Sequence, residues 1–422
     1  MVIRVMGVGT SYMFTFLIAG LYGASAMGSF ALAQTVLMIT AIIARLGLDT
    51  ASVRFVSENY SQGKYSTLRK VYFTILKMVV PMSMLLSIGL FSLAPVLARN
   101  ILNKPGMESL IRITSFGVLP FVLLFIHSES LRGMKKIIHY SLFRNMTTPF
   151  IGSVLLLAFF YSGFTSDKYP VFAYLISIAI LSVIALVVWL KKLPKTDTNK
   201  ERTKEVHLKG LLTVSLPMFF TSSMSYILQW TGLIILGIYR PAWEIGVYTV
   251  AFKVSLITGI ALFAINSIAA PKFAELFSKN NMKDLENIVH QSTRLIFWTS
   301  APFLILFLIF PTFFLGLFGQ EFVFGKWTLI FFTIGQFINA ISGSVGLILQ
   351  MTGKQKVFLN IIITSTVINI ILNVILIPKF GITGAAISSM ISMVVWNLIS
   401  IIMVRKYYMI LTLYIPKILW RK

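Results

Sequence analysis

Long apolar segments constrain this sequence more than any other feature. Twelve of them are about 20 residues long, which is roughly the length that an α-helix needs to cross a bilayer. Hydrophobic residues make up 57% of the 422 residues and charged residues only 12%, whereas soluble domains carry roughly a quarter. The sequence therefore predicts an all-α integral membrane protein with about twelve transmembrane helices. We place these helices at 3–22, 28–48, 72–99, 110–130, 140–162, 170–190, 211–238, 246–268, 292–318, 327–350, 358–377 and 382–404.

Basic residues lie mainly on one side of these predicted helices. Of the 37 Lys and Arg residues, 26 lie in or beside the even-numbered loops and the C-terminal tail, and 7 belong to the odd-numbered loops. Cytoplasmic loops carry this kind of excess, so we predict a multi-pass protein of the cell (plasma or inner) membrane with both termini in the cytoplasm. The net charge of +24 is thereby a signal of topology, and we expect no nucleic-acid partner.

The second half of the chain repeats the first. At an offset of 218 residues, Gly28 aligns with Gly246 and Ala51 with Ala269. Each half holds six predicted helices, and because six is even, both halves enter the membrane with the same orientation. Parallel repeats are typical of transporters that hold their substrate between two lobes and open alternately to either side.

The repeat also predicts the organisation of the chain into domains. A charged cytoplasmic linker, too polar to enter lipid, separates the two lobes, and a basic-aromatic cytoplasmic tail follows the second. The predicted ranges are 1–192 for the first lobe, 193–209 for the linker, 210–405 for the second lobe and 406–422 for the tail.

Several motifs resemble those of a known family. Gly23-x-x-x-x-Gly28-x-Phe30 is followed by segment 46–55, then by Leu131-Arg132-Gly133 and by the asparagine and glycine pattern of 369–386. Their order and spacing resemble the polysaccharide and oligosaccharide-lipid flippases of the multidrug/oligosaccharidyl-lipid/polysaccharide exporter superfamily. The resemblance implies twelve helices around a central cavity. It also implies movement of a polyprenyl-pyrophosphate-linked oligosaccharide from the inner to the outer leaflet, for assembly of cell-surface polysaccharide.

Charged residues within the predicted helices are the first candidates for a substrate site, because an ionisable group inside the membrane is costly. Lys253 is the strongest candidate, since it lies well inside helix 8 with no carboxylate within four positions. Arg45 and Arg4 could also face the cavity and attract a pyrophosphate. Alternatively, Arg45 pairs with Asp49 one helical turn away, and Arg4 anchors its helix at the membrane surface.

Uncharged polar residues on the corresponding helices 1 and 7 extend this candidate site. They could contact sugars, or they could make the interhelical hydrogen bonds that are common in membranes. Residues at helix ends could receive an anionic headgroup, or they could serve only topology. The cavity candidates are Thr15, Ser222, Ser225 and Gln229, and the weaker headgroup candidates are Arg54, Arg132 and Lys272.

Catalytic and metal-binding signatures are missing from the sequence. It has no cysteine, its four histidines do not recur at ligand spacing, and it has no phosphate-cradling Gly-Lys-Ser/Thr loop. We therefore predict a flippase that is not an enzyme and has no metal site or cofactor, with coupling to a proton or sodium gradient left open. Expected partners are the lipid-linked oligosaccharide, membrane lipids, and a glycan polymerase or glycosyltransferases. The alternatives are an ion-coupled multidrug exporter of the same superfamily, or a membrane scaffold for glycosyltransferases.

Overall fold

The computed structural model describes residues 2–193 and 208–414. The chain divides into two compact units, Met1–Ser223 with Pro241–Gly246, and Met224–Arg240 with Val247–Lys422. The predicted linker falls almost entirely outside the described residues, as does 415–422 of the predicted tail. The predicted lobe boundaries therefore stay a prediction.

Helices α1 to α8 belong to the first unit. Within it, α2 packs on α5, α7 on α8, and α1 on α7. Two short π-helical stretches, Leu97–Ile101 and Leu142–Met146, extend or join these helices. The helices are α1 (Val2–Arg45), α2 (Leu48–Ser61), α3 (Tyr65–Val96), α4 (Met107–Phe116), α5 (Val118–Gly133), α6 (Ile137–Ser141), α7 (Thr147–Tyr161) and α8 (Tyr169–Lys192).

Helix α9 runs across the boundary at which the chain changes unit, and α10 begins in the first unit and continues into the second. In the second unit, α14 packs on α16 and on α12. The helices are α9 (Leu208–Tyr239), α10 (Ala242–Leu256), α11 (Ile260–Ser278), α12 (Met282–Ile309), α13 (Pro311–Gly316), α14 (Lys326–Ile341), α15 (Val345–Met351) and α16 (Gln355–Tyr408).

The predicted all-α membrane fold is confirmed. Among the described residues, seven helices are long and apolar enough to cross a membrane, or nine if each of two bent pairs forms one span. Helices α1 and α16 each cover two predicted spans, and their helical dihedrals are interrupted at Gly23 (φ 82°) and Gly381 (φ 54°). Side chains rarely tolerate positive φ, so glycine permits these two breaks without strain. The total of twelve spans stays a prediction.

Several helices begin earlier than the apolar segments indicate. The sequence placed a span at 292–318, whereas α12 begins at Met282. Asn281 caps this helix by accepting a hydrogen bond from the backbone N–H of Asp284 at 3.2 Å, as asparagine commonly does at this position. Helical hydrogen bonding continues along polar residues beyond the apolar segment, so a search for apolar residues finds only that segment of the helix.

The two glycines that align in the repeat meet at a close helix crossing. A Cβ atom built on Gly28 would overlap the carbonyl oxygen of Ala242 and lie 2.9 Å from the nitrogen of Gly246. A Cβ on Gly246 would overlap the carbonyl oxygen of Ala24 and lie 3.0 Å from the nitrogen of Gly28. The contact is reciprocal: each glycine lies against the backbone of the segment that carries the other glycine. Glycine is required here for close backbone approach, as in other packed membrane helices.

Arg240 stabilises the break in α16. Its Nη2 donates to the carbonyl oxygens of Ile377 at 3.3 Å and of Pro378 at 3.1 Å. In an unbroken helix these carbonyls would accept from residues 381 and 382, but the dihedral angles of Gly381 interrupt that pattern. The guanidinium therefore satisfies backbone acceptors that the break releases.

Candidate functional site

Arg45 ends helix α1 and is 3% exposed. Its Nη1 donates to Asp49 at 2.8 Å and its Nε to the carbonyl of Ala41 at 3.0 Å. Its guanidinium carbon lies 3.9 Å from the centroid of the Phe125 ring. The predicted pairing with Asp49 is confirmed. These three contacts fix the guanidinium within the first unit, and its contact with substrate stays a prediction.

The ring of Phe125 has a second guanidinium neighbour, Arg144, whose carbon lies 3.7 Å from the ring centroid. The Nε of Arg144 lies 4.0 Å from Oε1 of Glu129, and the Nη1 of Arg132 lies 3.3 Å from Oε2 of the same carboxylate. The structure therefore brings Arg45, Arg132 and Arg144 together, and we call these three residues the arginine cluster. Helices α1 and α5 and the π-helical turn before α7 supply them.

The arginine cluster carries one positive charge more than its partners balance, because three guanidiniums face the two carboxylates Asp49 and Glu129. Arg132 is its most accessible member, with half of the side chain exposed, while Arg144 is 28% exposed. A guanidinium is permanently charged and binds phosphate oxygens in a planar, bidentate geometry. The arrangement can therefore receive a phosphate at Arg132 while its buried ion pair stays intact.

Lys253 lies near the end of helix α10 and is partly buried. The helix begins at Ala242, four residues before the predicted start. Lys253 is therefore roughly 16 Å from the first residue of the helix, at 1.5 Å per residue. Its neighbour Phe252 packs on Phe332 of α14, with ring centroids 5.1 Å apart. Lys253 thus places an ammonium in a helix that is long and apolar enough to cross a membrane, where a charge is costly and commonly functional.

The remaining cavity candidates have different surroundings. Thr15 is buried and donates to the carbonyl of Ser11 at 2.9 Å, a bond within its own helix. Gln229 is exposed on α9. Arg4 lies on α1 and Ser222 and Ser225 on α9, but their side chains lie outside the described part of the structure.

The candidates for headgroup binding are exposed. Arg54 is exposed on α2, and Lys272 on α11 forms an ion pair with Glu275 at 3.0 Å. Hydrogen bonds from Lys279 and Lys272 lower the pKa of Glu275 below its ordinary value. Lys272, like Arg132, therefore already has a carboxylate partner three residues away, and both roles considered for these residues stay open.

Comparison with known proteins identifies the family. The profile of a family described as "Polysaccharide biosynthesis protein" matches residues 1–277, which is more than half of the chain. This chain belongs to the polysaccharide biosynthesis protein family. A second profile, described as MatE, matches residues 217–375, so the resemblance inferred from the motifs is confirmed in both halves of this family member.

Named relatives and solved structures agree with this family. The chain is 26% identical over 396 residues to "Probable low-salt glycan biosynthesis flippase Agl15" of Haloferax volcanii, covering 93% of this chain and 79% of that protein. An inward-facing multidrug resistance MATE family transporter has a TM-score of 0.77 at 15% identity, covering 97% and 98% of the two chains. The lipid II flippase MurJ has a TM-score of 0.75 at 16% identity, covering 96% and 86%. At these identities the two structures show the fold.

Arg144 is the member of the arginine cluster that sequence reasoning missed. It lies 99 positions from Arg45, and no motif or spacing joins the two residues. In the sequence, Arg144 contributes only to the basic excess that predicts topology. Its position four residues into a span predicted at 140–162 was the available signal, because a charge inside an apolar segment requires a partner.

Proposed function

We propose that this member of the family is a flippase that moves a polyprenyl-pyrophosphate-linked oligosaccharide from the inner to the outer leaflet of the cell membrane. The observation that carries the proposal is the match over 93% of the chain to a relative named as a glycan biosynthesis flippase. The family description, polysaccharide biosynthesis protein, supports the same class of substrate. In this proposal both termini are cytoplasmic, and the protein transports without catalysing a covalent reaction.

The charges of the described helices also favour an anionic substrate. Lys253 lies in a membrane-spanning segment, and the arginine cluster has a net positive charge after pairing. A pyrophosphate requires such cations, because phosphate oxygens bind most strongly to charged donors. We assign Lys253 the role of attracting the pyrophosphate during translocation, together with Arg45 and Arg4, and Arg132 the role of first contact.

An ion-coupled multidrug exporter is the second candidate, because the MatE profile and a multidrug transporter structure match this chain. An exporter of cationic drugs needs carboxylates that are available within the membrane. In the first unit, Asp49 and Glu129 are both engaged by guanidiniums. This pairing favours the flippase, since neither carboxylate can bind a cation without releasing an arginine.

Export of glycan in cells tests the proposal. We would replace Lys253 by Gln and, as a matched control, the exposed Lys379 by Gln, in a strain that lacks its own copy of the gene. Expected is loss of surface glycan with accumulation of the lipid-linked precursor for Lys253→Gln, at equal protein level, and normal export for Lys379→Gln. Full export by Lys253→Gln would contradict the assigned role. Absence of any glycan defect in the deletion strain, with increased drug sensitivity, would support the exporter instead.

A further inference from the structure

An open pocket of about 650 Å³ lies at one end of the first unit. The end of α3, the start of α4 and the loop before α8 surround it, and these segments carry odd-numbered loops of the predicted topology. The pocket is therefore on the side opposite to the basic cytoplasmic loops in that topology. Charged, polar and apolar residues line it: Phe91, Pro105, Gly106, Glu108, Ser109, Arg112, Ile113, Phe116 and Lys168.

The rim of the pocket is a positively charged network. Glu108 accepts hydrogen bonds from Arg99 at 2.8 Å and 3.0 Å. Its other oxygen lies 2.9 Å from Nη2 of Arg112. Two guanidiniums therefore share one carboxylate. Lys168 adds a further positive charge and, among residues 2–193 and 208–414, has no carboxylate within salt-bridge distance. Of the seven basic residues in the odd-numbered loops, Arg112 and Lys168 line this pocket and Arg99 pairs with its Glu108.

The phenylalanines below this rim are exposed apolar surface. Phe116 is 70% exposed and Phe91 is 41% exposed, and their ring centroids lie 5.9 Å apart. The guanidinium carbon of Arg112 lies 5.4 Å from the centroid of the Phe91 ring, while its Nε is buried and makes no hydrogen bond within the described residues. On α4, Phe116 follows Arg112 one helical turn later, and Phe91 of α3 adds a second exposed ring. The pocket thus joins cationic side chains to an apolar surface, as the phosphate and the hydrocarbon chain of a membrane lipid require.

We propose that this pocket binds the phosphate group of an anionic lipid. The phosphate oxygens accept hydrogen bonds from Arg112 and Lys168, and the start of the hydrocarbon chain packs on Phe91 and Phe116. Charge complementarity carries the assignment: Arg112 and Lys168 line the pocket beside exposed phenylalanine rings, and basic residues at a membrane surface attract anionic lipids. The lipid is either a bilayer phospholipid or the polyprenyl carrier, since both present phosphate above a chain. The site lies within one unit and does not depend on the proposed transport.

Lipid binding by the purified full chain tests this site. We would titrate the protein in detergent with phosphatidylglycerol and with phosphatidylcholine and count bound lipids by native mass spectrometry. We expect preferential binding of phosphatidylglycerol. Lys168→Gln and Arg112→Gln should each weaken this binding about fivefold, because one basic side chain near an anionic headgroup contributes about that factor to the affinity. The Lys379→Gln variant, which changes a basic residue outside the pocket, should bind as the wild type does.

Competition experiments distinguish the two lipids that could supply the phosphate group. Displacement of phosphatidylglycerol by a polyprenyl pyrophosphate would assign the carrier, and its failure to displace would assign the bilayer phospholipid. Lys168→Gln leaves the network of Glu108 intact, so it reports on binding even if Arg112→Gln fails to fold. Equal binding of the two phospholipids, unchanged binding by Lys168→Gln, or displacement by inorganic phosphate at the same concentration would overturn the proposal. Phe116→Ser should weaken lipid binding, which tests the apolar half of the site.

Discussion

Replacing Gly28 by alanine should open the crossing at which the two repeat segments meet. The new methyl group would lie 2.7 Å from the carbonyl carbon of Ala242 and 2.9 Å from the nitrogen of Gly246, in addition to overlapping the carbonyl oxygen. Optimal separations between such atoms are about 3.5–4.0 Å. The obstacles are backbone atoms, so no side-chain rotation relieves them, and the overlap with the carbonyl oxygen requires the two segments to separate by more than about 1 Å.

The size of the effect follows from this displacement. Overpacking of this kind costs about 1–3 kcal/mol or somewhat more, and the widened crossing loses part of its dispersion energy. Alanine recovers about 1 kcal/mol through its higher helix propensity. Because the obstacles are backbone atoms, the cost lies in the upper part of that range, and we expect a net loss of about 1–2 kcal/mol. For 422 residues, this is a fall in Tm of about 1–2 °C, at roughly 2.1 cal/mol/K of unfolding entropy per residue. The Tm is measured by heating the protein in detergent and monitoring the loss of folded protein by size-exclusion chromatography.

Two comparisons make the Gly28 experiment decisive. Gly89→Ala is the matched control, because a Cβ on this helical glycine meets nothing within 4 Å, so its Tm should be unchanged or slightly higher. Gly246→Ala should destabilise as Gly28→Ala does, and the double variant should lose less than the sum of both, since one displacement relieves both overlaps. If Gly28→Ala were as stable as Gly89→Ala, or if the double variant were strictly additive, the reciprocal crossing would be refuted.

Two further predictions concern buried charge and the broken helix. Asp49→Asn should remove the carboxylate that pairs with Arg45 and destabilise the protein by about 1–3 kcal/mol, less than for a fully buried pair because Asp49 is 20% exposed. Glu58→Gln, which changes an exposed carboxylate on the same helix, should leave the stability unchanged. Equal Tm values for the two variants in detergent would contradict the role of the ion pair. Arg240→Ala should release the two carbonyl groups at the α16 break, at a cost of about 1–2 kcal/mol, and speed amide exchange on both sides of the break. Lys326→Ala serves as the control, and unchanged exchange in Arg240→Ala would show that the guanidinium does not stabilise the break.

The sequence contains enough to predict the membrane fold and the ion pairs between helical neighbours. Apolar segments identify helices because the bilayer leaves the backbone no other partner than itself. The alignment of Gly28 with Gly246 indicates the repeat, but only the structure shows that the two residues meet at a crossing that admits no side chain. The pairs Arg45–Asp49 and Glu129–Arg132 were predictable because helical neighbours three or four residues apart share a face.

Contacts between distant segments could not be predicted in this way. Nothing in the spacing of Arg144 connects it to Phe125, and the network around Glu108 joins residues of three segments. The basic residues of the odd-numbered loops are a minority of the total charge, and a charge count does not show that Arg112 and Lys168 line one pocket. The breaks at Gly23 and Gly381 also escaped, because a pattern of apolar residues marks a gap between spans without showing that helical structure runs up to it on both sides.

Translocation in a defined membrane tests the central claim most directly. Purified protein would be reconstituted into liposomes that carry a fluorescent polyprenyl-pyrophosphate-linked oligosaccharide, and the fraction of label accessible from outside would be followed over time. We predict protein-dependent translocation that Lys253→Gln abolishes and Lys379→Gln preserves. Translocation no faster than in protein-free liposomes, together with uptake of a cationic drug by the same vesicles, would contradict the flippase and favour the exporter.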